Sequence, residues 1–207
     1  MKLLENSATP SALRVAIFLK ELGVEVERQQ VDTKGAENRT KTFLQKAPNG
    51  LIPVLELDDG TCICESLAIC RYFDAITPND KALFGDTPLE QARVEMWQRI
   101  VELQGLVPAF QAFRNLTGFF SDRETCVKSW GEESQKRVNA FLPVVDQQLS
   151  THSWVAGEHF SIADITLWVL CRFLPRLELQ VDDSLPNLQK WLSQMAKRPS
   201  VAGQQDR

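Results

Sequence analysis

The pattern of apolar residues along this chain of 207 residues changes once, after residue 77. Before that point, short apolar runs have the two-residue period of strands or the longer period of helices; after residue 86, no run has the period of a strand. The segment between them, 78–86, is rich in Pro, Gly and Asp and shows no period. The sequence therefore predicts a mixed α/β domain over 1–77, a linker over 78–86 and an all-helical domain over 87–207.

The first domain is expected to contain its elements in the order β-α-β-α-β-β-α. Pro10 suits the first turn of a helix, and Gly23 suits the position that ends it. Asp58-Asp59-Gly60 is typical of a turn between two antiparallel strands. The other expected elements are strands over Lys2–Glu5, Val24–Val31, Ile52–Leu57 and Thr61–Cys64, and helices over Lys41–Lys46 and Ser66–Phe73. This order is that of a thioredoxin-like fold.

Helix-start signals predict the layout of the second domain. Thr87-Pro88-Leu89-Glu90 is a capping box with proline at the first helical position. Ser121 and Glu124 have the same spacing and predict the start of a long helix. Ser161-Ile162-Ala163-Asp164 opens a very apolar helix as a structural capping box, and a last amphipathic helix is predicted over Pro186–Lys197. Together these helices predict a C-terminal helical-bundle domain.

The overall charge gives no reason to expect a nucleic acid or a membrane as a partner. The formal net charge is −4 and the isoelectric point is about 5.3, so there is no general attraction to anionic polymers or surfaces. A bilayer-spanning helix needs roughly 20 apolar residues. The longest apolar run, Ile165–Leu174, is shorter and contains Arg172.

The numbers of cysteines and histidines limit the possible chemistry. Five cysteines at scattered spacing do not form a disulfide framework, so we expect a reduced, cytoplasmic protein. The only histidines, His152 and His159, exclude a three-histidine metal centre, and no zinc-binding spacing is present, so we expect no metal. Glycine-rich phosphate loops and the Gly-x-Ser-x-Gly turn are also absent. A hydroxyl, thiol or carboxylate site remains possible, as does a protein without catalysis.

Five segments, taken in order, carry a resemblance to a known family. They are Thr9–Val15, Pro48–Leu55, Glu65–Tyr72, Gly157–Asp164 and the tail from Pro186 to Val201, which contains Trp191 and Arg198-Pro199. On these segments the chain resembles the cytosolic glutathione S-transferase family, of the bacterial type with Thr or Ser at the activating position. The resemblance implies glutathione as a co-substrate, a glutathione-binding first domain and a homodimer.

The helix that begins near Ser66 is a candidate site for the γ-glutamyl end of glutathione. The Ser66 hydroxyl and the free N–H groups of a helix N-terminus favour a carboxylate, and Glu65 can accept a hydrogen bond from the ammonium group. A serine in this position is also a common helix cap. We assign Glu65 and Ser66 to glutathione because they follow the hairpin and the Ile52-Pro53 strand.

Ile52 and Pro53 are expected to hold the cysteinyl unit of glutathione. The resemblance implies a cis bond between them, which would leave the Ile52 backbone free to pair with an extended peptide. The alternative is a proline that protects a strand edge.

The candidate partners of the glycine carboxylate of glutathione lie around position 51 and at residues 38–41. Leu51 is counted with the glutathione-binding residues by position, but it stands where many members of the family carry a polar side chain. Asn38, Arg39 and Lys41 are therefore the candidates for this carboxylate, although solvation is the ordinary role of such residues. Of these, Asn38 is the residue we assign to glutathione.

Thr9 and Ser11, on either side of Pro10, are the candidate catalytic residues. One charge-assisted hydrogen bond to a thiolate contributes about 1.5–3 kcal/mol, which corresponds to a pKa lowered by roughly 1–2 units. That is enough to bring a thiol of pKa about 8.5 close to neutral pH. Thr9 stands where the resemblance puts the activating residue, and Ser11 is the second candidate. Thr9 is equally suited to be a plain helix cap.

The sequence thus predicts a glutathione transferase that activates the glutathione thiolate for attack on a small electrophile. A glutathione-dependent disulfide or peroxide reductase is an alternative, since threonine at the activating position also occurs in such enzymes. A third possibility is a non-catalytic binding or regulatory module with the same fold. Intact Glu65, Ser66 and Pro53 argue against the loss of glutathione binding in any of the three.

Overall fold

The computed structural model describes residues 1–202, which fall into two compact units. The first unit is Met1–Lys81 and the second is Ala82–Ala202, so the division lies inside the segment 78–86. Each unit contains its own set of fully buried apolar side chains.

A four-stranded mixed sheet forms the centre of the first unit. Its strands are β1 (Lys2–Glu5), β2 (Glu27–Gln30), β3 (Val54–Glu56) and β4 (Cys62–Cys64). They lie in the order β2-β1-β3-β4, in which β1 and β2 are parallel and the other two pairs are antiparallel. The predicted thioredoxin-like fold is confirmed.

Three α-helices pack with this sheet in the same unit. They are α1 (Pro10–Leu22), α2 (Lys41–Lys46), which follows a short 3-10 turn over Glu37–Arg39, and α3 (Ser66–Ile76). Thr9 is the N-cap of α1, and Gly23 ends it with a φ of 68°, a left-handed conformation that costs glycine little. Both ends of α1 therefore lie where the sequence predicts them.

Both faces of β1 are buried. Leu4 packs with Phe43 of α2 and Val54 of β3 in one apolar cluster. Successive side chains of a strand point to opposite faces, so Leu3 and Glu5 share the other face, where both are fully buried. The Glu5 carboxylate accepts a 2.8 Å hydrogen bond from Arg28 Nη1 of β2.

The second strand differs from its prediction. The sequence places it over Val24–Val31, but β2 covers only Glu27–Gln30, and all of its residues are exposed. The reason is that β2 is an edge strand, where polar residues discourage pairing with another chain. Val31, just beyond β2, is buried in the apolar cluster under α2. The apolar residues that predicted this strand, Val24, Val26 and Val31, therefore lie before and after β2 rather than within it.

The second unit contains no β-strand within 82–202, as the sequence predicts. Its helices are α4 (Pro88–Ile100), α5 (Val107–Thr117), α6 (Lys128–Leu149), α7 (Ile162–Phe173), α8 (Pro186–Met195) and α9 (Pro199–Ala202). α4 begins with the predicted capping box, in which the side chains of Thr87 and Glu90 each accept a backbone N–H.

A π-helical segment, Val101–Leu106, joins α4 to α5. Pro108 is the second residue of α5, and a proline inside a helix lacks one N–H and crowds the carbonyl four residues earlier. The wider turn, in which the Val107 N–H bonds to the Glu102 carbonyl, accommodates this proline. Within the segment, Gly105 allows a close approach of α7, because a Cβ there would lie 2.6 Å from a methyl carbon of Leu170.

The predicted capping box at Ser121 and Glu124 is wrong. α6 begins only at Lys128, and residues 121–124 form turns. The Glu124 carboxylate accepts instead a 2.9 Å hydrogen bond from Arg114 Nη1 of α5. At the real start of α6, Asn115 Oδ1 of α5 accepts from the Val127 N–H at 2.7 Å. The start of α6 is therefore determined by the contact between Asn115 and Val127, which the spacing of residues along the chain does not predict.

Asp164 joins three segments of the second unit. Its fully buried carboxylate accepts hydrogen bonds from the N–H groups of Val155 and Ser161 and from the indole of Trp191, at 2.9–3.0 Å. It also accepts from the Ser161 hydroxyl at 3.1 Å. Burial raises the pKa of Asp164 to about 6, although these hydrogen bonds act in the opposite direction. These contacts support the structural role that the sequence predicts for this capping box.

Among residues 1–202, no helix has the length and apolar character needed to cross a bilayer.

Candidate functional site

The N-terminus of α3 carries unpaired hydrogen-bond donors. Glu65, its N-cap, provides no side-chain cap, and within residues 1–202 no group accepts from the backbone N–H groups of residues 66–68. Ser66 is buried at the first helical position. Such a helix end favours an anion, because its free N–H groups and its dipole both present positive charge.

Arg14 of α1 lies behind this helix end. Its side chain is buried, with 3% of its surface exposed, and its Nη1 donates a 3.0 Å hydrogen bond to Ser66 Oγ. Because Ser66 accepts this bond, its own hydroxyl hydrogen is free to donate to a ligand. The sequence prediction did not single out Arg14, although a charged residue within the apolar run Leu13–Leu19 is a recognisable signal.

Glu65 has an uncommon backbone conformation next to Ser66. Its φ of 70° and ψ of 119° are rare for a residue with a side chain, and such outliers cluster at functional sites. The side chain is exposed, and its Oε1 accepts a 3.0 Å hydrogen bond from Asn49 Nδ2. Asn49 Oδ1 in turn accepts from the Leu51 N–H at 3.1 Å. Glu65 is thereby linked to the loop that precedes β3.

That loop presents an unpaired stretch of backbone. The Ile52–Pro53 peptide bond is cis, as the resemblance implies. No hydrogen bond among residues 1–202 uses the N–H or C=O of Ile52, and the neighbouring Leu51 side chain is exposed. Residues 51–53 therefore offer both a donor and an acceptor to an extended ligand.

Asn38 stabilises the loop that precedes β3. It is buried, and its Nδ2 donates a 2.6 Å hydrogen bond to the Gly50 carbonyl. The exposed guanidinium of Arg39 lies beside the same glycine, with Nη1 3.1 Å from the place that a Cβ would take. Of the predicted residues, Asn38 thus contacts the loop backbone, whereas Arg39 presents its charge at the surface.

Thr9 and Ser11 differ in their hydrogen bonding at the start of α1. Thr9 Oγ1 donates to the Asn6 carbonyl at 2.8 Å and accepts from the Ala12 N–H at 3.4 Å, so its hydroxyl is used within the cap. Neither the hydroxyl nor the N–H of Ser11 has a partner among residues 1–202. Ser11 precedes Arg14 by three residues and so lies on the same face of α1. The hydroxyl of Ser11, rather than that of Thr9, is therefore available to a ligand at the start of α1.

The nearby cysteines do not provide a reactive thiolate. Burial raises the pKa of the Cys64 thiol, which directly precedes Glu65, and that of Cys62 on the same strand. Burial also raises the pKa of Cys70 in α3 to about 12. A nucleophile at this site would therefore have to come with the ligand.

Within the described residues, no cluster of three or more His, Cys, Asp or Glu side chains could hold a metal ion. The groups that the site does present are the donors at the α3 N-terminus, the unpaired backbone of Ile52, the exposed carboxylate of Glu65 and the free donors of Ser11. They suit a small peptide-like ligand with a carboxylate at one end and an extended backbone.

Family models and known proteins match this chain along most of its length. Residues 8–76 match the model described as Glutathione S-transferase, N-terminal domain, and residues 119–199 match Glutathione S-transferase, C-terminal domain. The chain is 35% identical to Glutathione S-transferase 2 of Saccharomyces cerevisiae over 196 residues, which is 93% of this chain and 83% of that protein.

Two solved structures are similar over nearly the whole chain. A glutathione S-transferase of class Gtt2 from Vibrio parahaemolyticus is 48% identical with a TM-score of 0.87, over 97% of this chain and 95% of that one. A glutathione S-transferase domain-containing protein from Marinobacter aquaeolei is 31% identical with a TM-score of 0.93, over 97% and 100% of the two chains.

Proposed function

Because the chain belongs to the glutathione S-transferase family and is thus a glutathione-dependent transferase, we propose that its first unit binds glutathione and activates the thiol for attack on a small electrophile. The observation that carries this proposal is the uncapped N-terminus of α3, with Ser66 held by the buried Arg14. The free backbone of Ile52 supports it.

The γ-glutamyl end of glutathione binds at α3. Its α-carboxylate accepts hydrogen bonds from the Ser66 hydroxyl and from the first free N–H groups of the helix, and the buried charge of Arg14 strengthens this attraction. Its ammonium group donates to the exposed carboxylate of Glu65. The hydrogen bond from Asn49 holds that carboxylate in place without neutralising it.

The rest of the tripeptide follows the loop before β3. The cysteinyl backbone pairs with the N–H and C=O of Ile52, and Pro53 fixes the direction of the chain there. Arg39, whose exposed side chain lies beside Gly50, takes the glycine carboxylate, and Asn38 contributes by holding the Gly50 carbonyl. Leu51 adds apolar contact rather than a polar group, since its exposed side chain carries none.

The thiolate is stabilised at the start of α1. We assign this role to Ser11, because its hydroxyl and its N–H are both free, whereas the hydroxyl of Thr9 donates to the Asn6 carbonyl. A charge-assisted hydrogen bond of about 1.5–3 kcal/mol accounts for a useful fall in the pKa of the thiol. The raised pKa of Cys64 disfavours a reaction in which the protein itself supplies the thiolate.

A substrate panel tests the type of reaction. Purified protein is assayed with glutathione and, separately, an aromatic halide, a hydroperoxide and a small mixed disulfide. We expect turnover of the aromatic halide, with loss of that turnover in Ser11→Ala. Turnover of only the peroxide or the disulfide would identify the reductase, and glutathione binding without any turnover would identify the binding module.

The protein acts as a homodimer in a reducing compartment, for which we propose the cytoplasm. Four apolar side chains are exposed along α4, the π-helical segment after it and the first residue of α5: Leu89, Met96, Leu103 and Val107. A second copy of the chain would bury them. The five cysteines are all free, as expected where thiols stay reduced.

A further inference from the structure

A cavity of about 180 Å³ lies in the first unit, formed by residues of β1, β2, α2 and the segment that joins β2 to α2. Its apolar wall consists of Leu4, Val31 and Phe43, which are all buried and belong to one packed cluster. Pockets that hold drug-sized ligands have volumes of roughly 300–1,000 Å³. This cavity therefore has room for a smaller molecule, with a single ring or a short branched chain.

The charged residues that line the cavity are Glu37 and Lys46. The charge of Lys46 is compensated, because its Nζ donates to both carboxylate oxygens of Glu56, at 2.9 and 2.8 Å. Glu37 is exposed, and its Oε2 accepts a 2.7 Å hydrogen bond from the Asp32 N–H. No cation among residues 1–202 forms an ion pair with Glu37. In the described part of the chain, the cavity thus combines an apolar wall with one negative charge that has no counter-ion.

Two neutral polar side chains line the same cavity, Gln29 of β2 and Thr42 of α2. Neither side chain has a hydrogen-bond partner among residues 1–202. Each carries an oxygen that can accept a hydrogen bond, and a primary ammonium group has three N–H donors and no acceptor. The cavity therefore offers such a group one carboxylate and two neutral acceptors.

We propose that this cavity is a binding site for a small primary amine with a compact apolar body. The body of the ligand packs against Leu4 and Phe43, and its ammonium group pairs with the carboxylate of Glu37. None of the residues proposed to contact glutathione lines the cavity. This amine site is therefore separate from the proposed glutathione site, although both belong to the first unit.

NMR titration of the full chain with two probes of similar shape tests the amine site. Benzylamine carries the ammonium charge at pH 7, and benzyl alcohol is neutral. We expect the wild type to bind benzylamine up to about fivefold more tightly than benzyl alcohol, the range of an exposed ion pair. In Glu37→Gln the two affinities should become equal. The amide oxygen of the glutamine can still accept from the Asp32 N–H, so this variant should keep the fold of the wild type.

Matched variants keep the test specific. Glu25→Gln removes an exposed carboxylate of the same unit that does not line the cavity, and it should leave both affinities unchanged. Thr42→Phe places a ring at the cavity and should weaken both probes. Equal affinity of the wild type for the two probes, or equal losses in the Glu25 and Glu37 variants, would overturn the proposal. So would amide signals that shift only outside residues 29–46 and Leu4. Glutathione should bind Glu37→Gln as it binds the wild type, which separates this outcome from a failure of the glutathione site.

Discussion

Arg14 Nη1 donates a 3.0 Å hydrogen bond to Ser66 Oγ, and this bond connects the middle of α1 with the first residue of α3. Because Ser66 Oγ accepts this bond, its hydroxyl hydrogen can donate to the γ-glutamyl carboxylate proposed to bind at this helix end. We therefore treat Arg14 and Ser66 as one unit for binding glutathione.

Ser66→Ala should weaken glutathione binding by about 1.5–3 kcal/mol, because a charged hydrogen bond to the carboxylate is lost. Arg14→Met should have at least a similar effect, since it removes both the partner of Ser66 and the charge behind the helix. Titration calorimetry gives the affinities, and Ser153→Ala, which removes an exposed hydroxyl of the second unit, is the control. If Ser66→Ala lowers thermal stability but leaves the affinity unchanged, Ser66 is only a structural residue.

Ser11→Ala should raise the apparent pKa of the bound glutathione thiol by roughly 1 unit or more, as expected for a lost charge-assisted hydrogen bond. Thr9→Ala should leave that pKa nearly unchanged and instead lower the free energy of unfolding by about 0.5–2 kcal/mol, the usual cost of a lost N-cap. Thiolate absorbance against pH and chemical denaturation measure the two effects. The reverse pattern would return the catalytic role to Thr9. An unshifted thiol pKa in the wild type would leave the site without a mechanism.

Arg39→Gln should weaken the binding of glutathione by up to about fivefold, the range expected for an exposed ion pair. The dipeptide γ-glutamylcysteine lacks the glycine carboxylate, so its affinity should be the same for the wild type and for this variant. Lys41→Gln, two residues further along, is the control and should change neither affinity. A parallel loss of both ligands in Arg39→Gln would mean that Arg39 stabilises the loop at Gly50 rather than the carboxylate.

Local sequence signals predicted the fold where one element determines its own ends. Thr9, Pro10 and Gly23 define α1 without help from the rest of the chain, and Thr87 with Glu90 does the same for α4. The capping-box spacing of Ser121 and Glu124 gave a wrong helix start, because a residue of another helix binds the Glu124 side chain. Glu124 binds Arg114 of α5 instead of capping a helix.

The candidate site was predictable to a similar extent. Glu65 and Ser66 could be named as candidates because the start of α3 follows a clear hairpin, and the resemblance pointed to Ile52 and Pro53 as further candidates. The role of Arg14 depends on the packing of α1 against α3, which the spacing along one helix does not give. The difference between Thr9 and Ser11 depends on a hydrogen bond to the Asn6 carbonyl, and a sequence does not show which hydroxyl is already used.

Asp164 should make the stability of the second unit depend on pH. Burial raises its pKa from the ordinary value of 3.8 to about 6, so the folded chain favours the protonated form. The stabilisation from this group is complete below pH 3.8 and is lost as the pH rises through about 6. A shift of this size corresponds to about 3 kcal/mol.

Comparison with Asp164→Asn isolates this effect, because asparagine does not titrate. Between about pH 4 and pH 7, the free energy of unfolding of the wild type should fall by about 3 kcal/mol relative to the variant. Denaturant titrations at a series of pH values measure this difference. A difference that stays constant with pH would show that the four hydrogen bonds accepted by Asp164 offset the cost of its burial. Enzyme turnover at a pH where the variant is folded should be unaffected, because Asp164 is a capping residue.

Leu103→Glu should convert the proposed homodimer into monomers. Leu89, Met96 and Leu103 follow one another at seven-residue intervals, and their side chains are 61%, 49% and 58% exposed. A row of exposed apolar side chains of this kind is costly in water and typical of a surface that a partner covers. A glutamate in the row would bring two uncompensated carboxylates together in a symmetric interface, where residues near the axis meet their own copies.

Sedimentation velocity measures the change in mass. Val144→Glu, which places the same charge on a 48% exposed valine of α6, should leave the mass of the wild type unchanged. A wild type that already sediments as a monomer at all concentrations would contradict the homodimer, and dissociation by both variants alike would place the interface elsewhere.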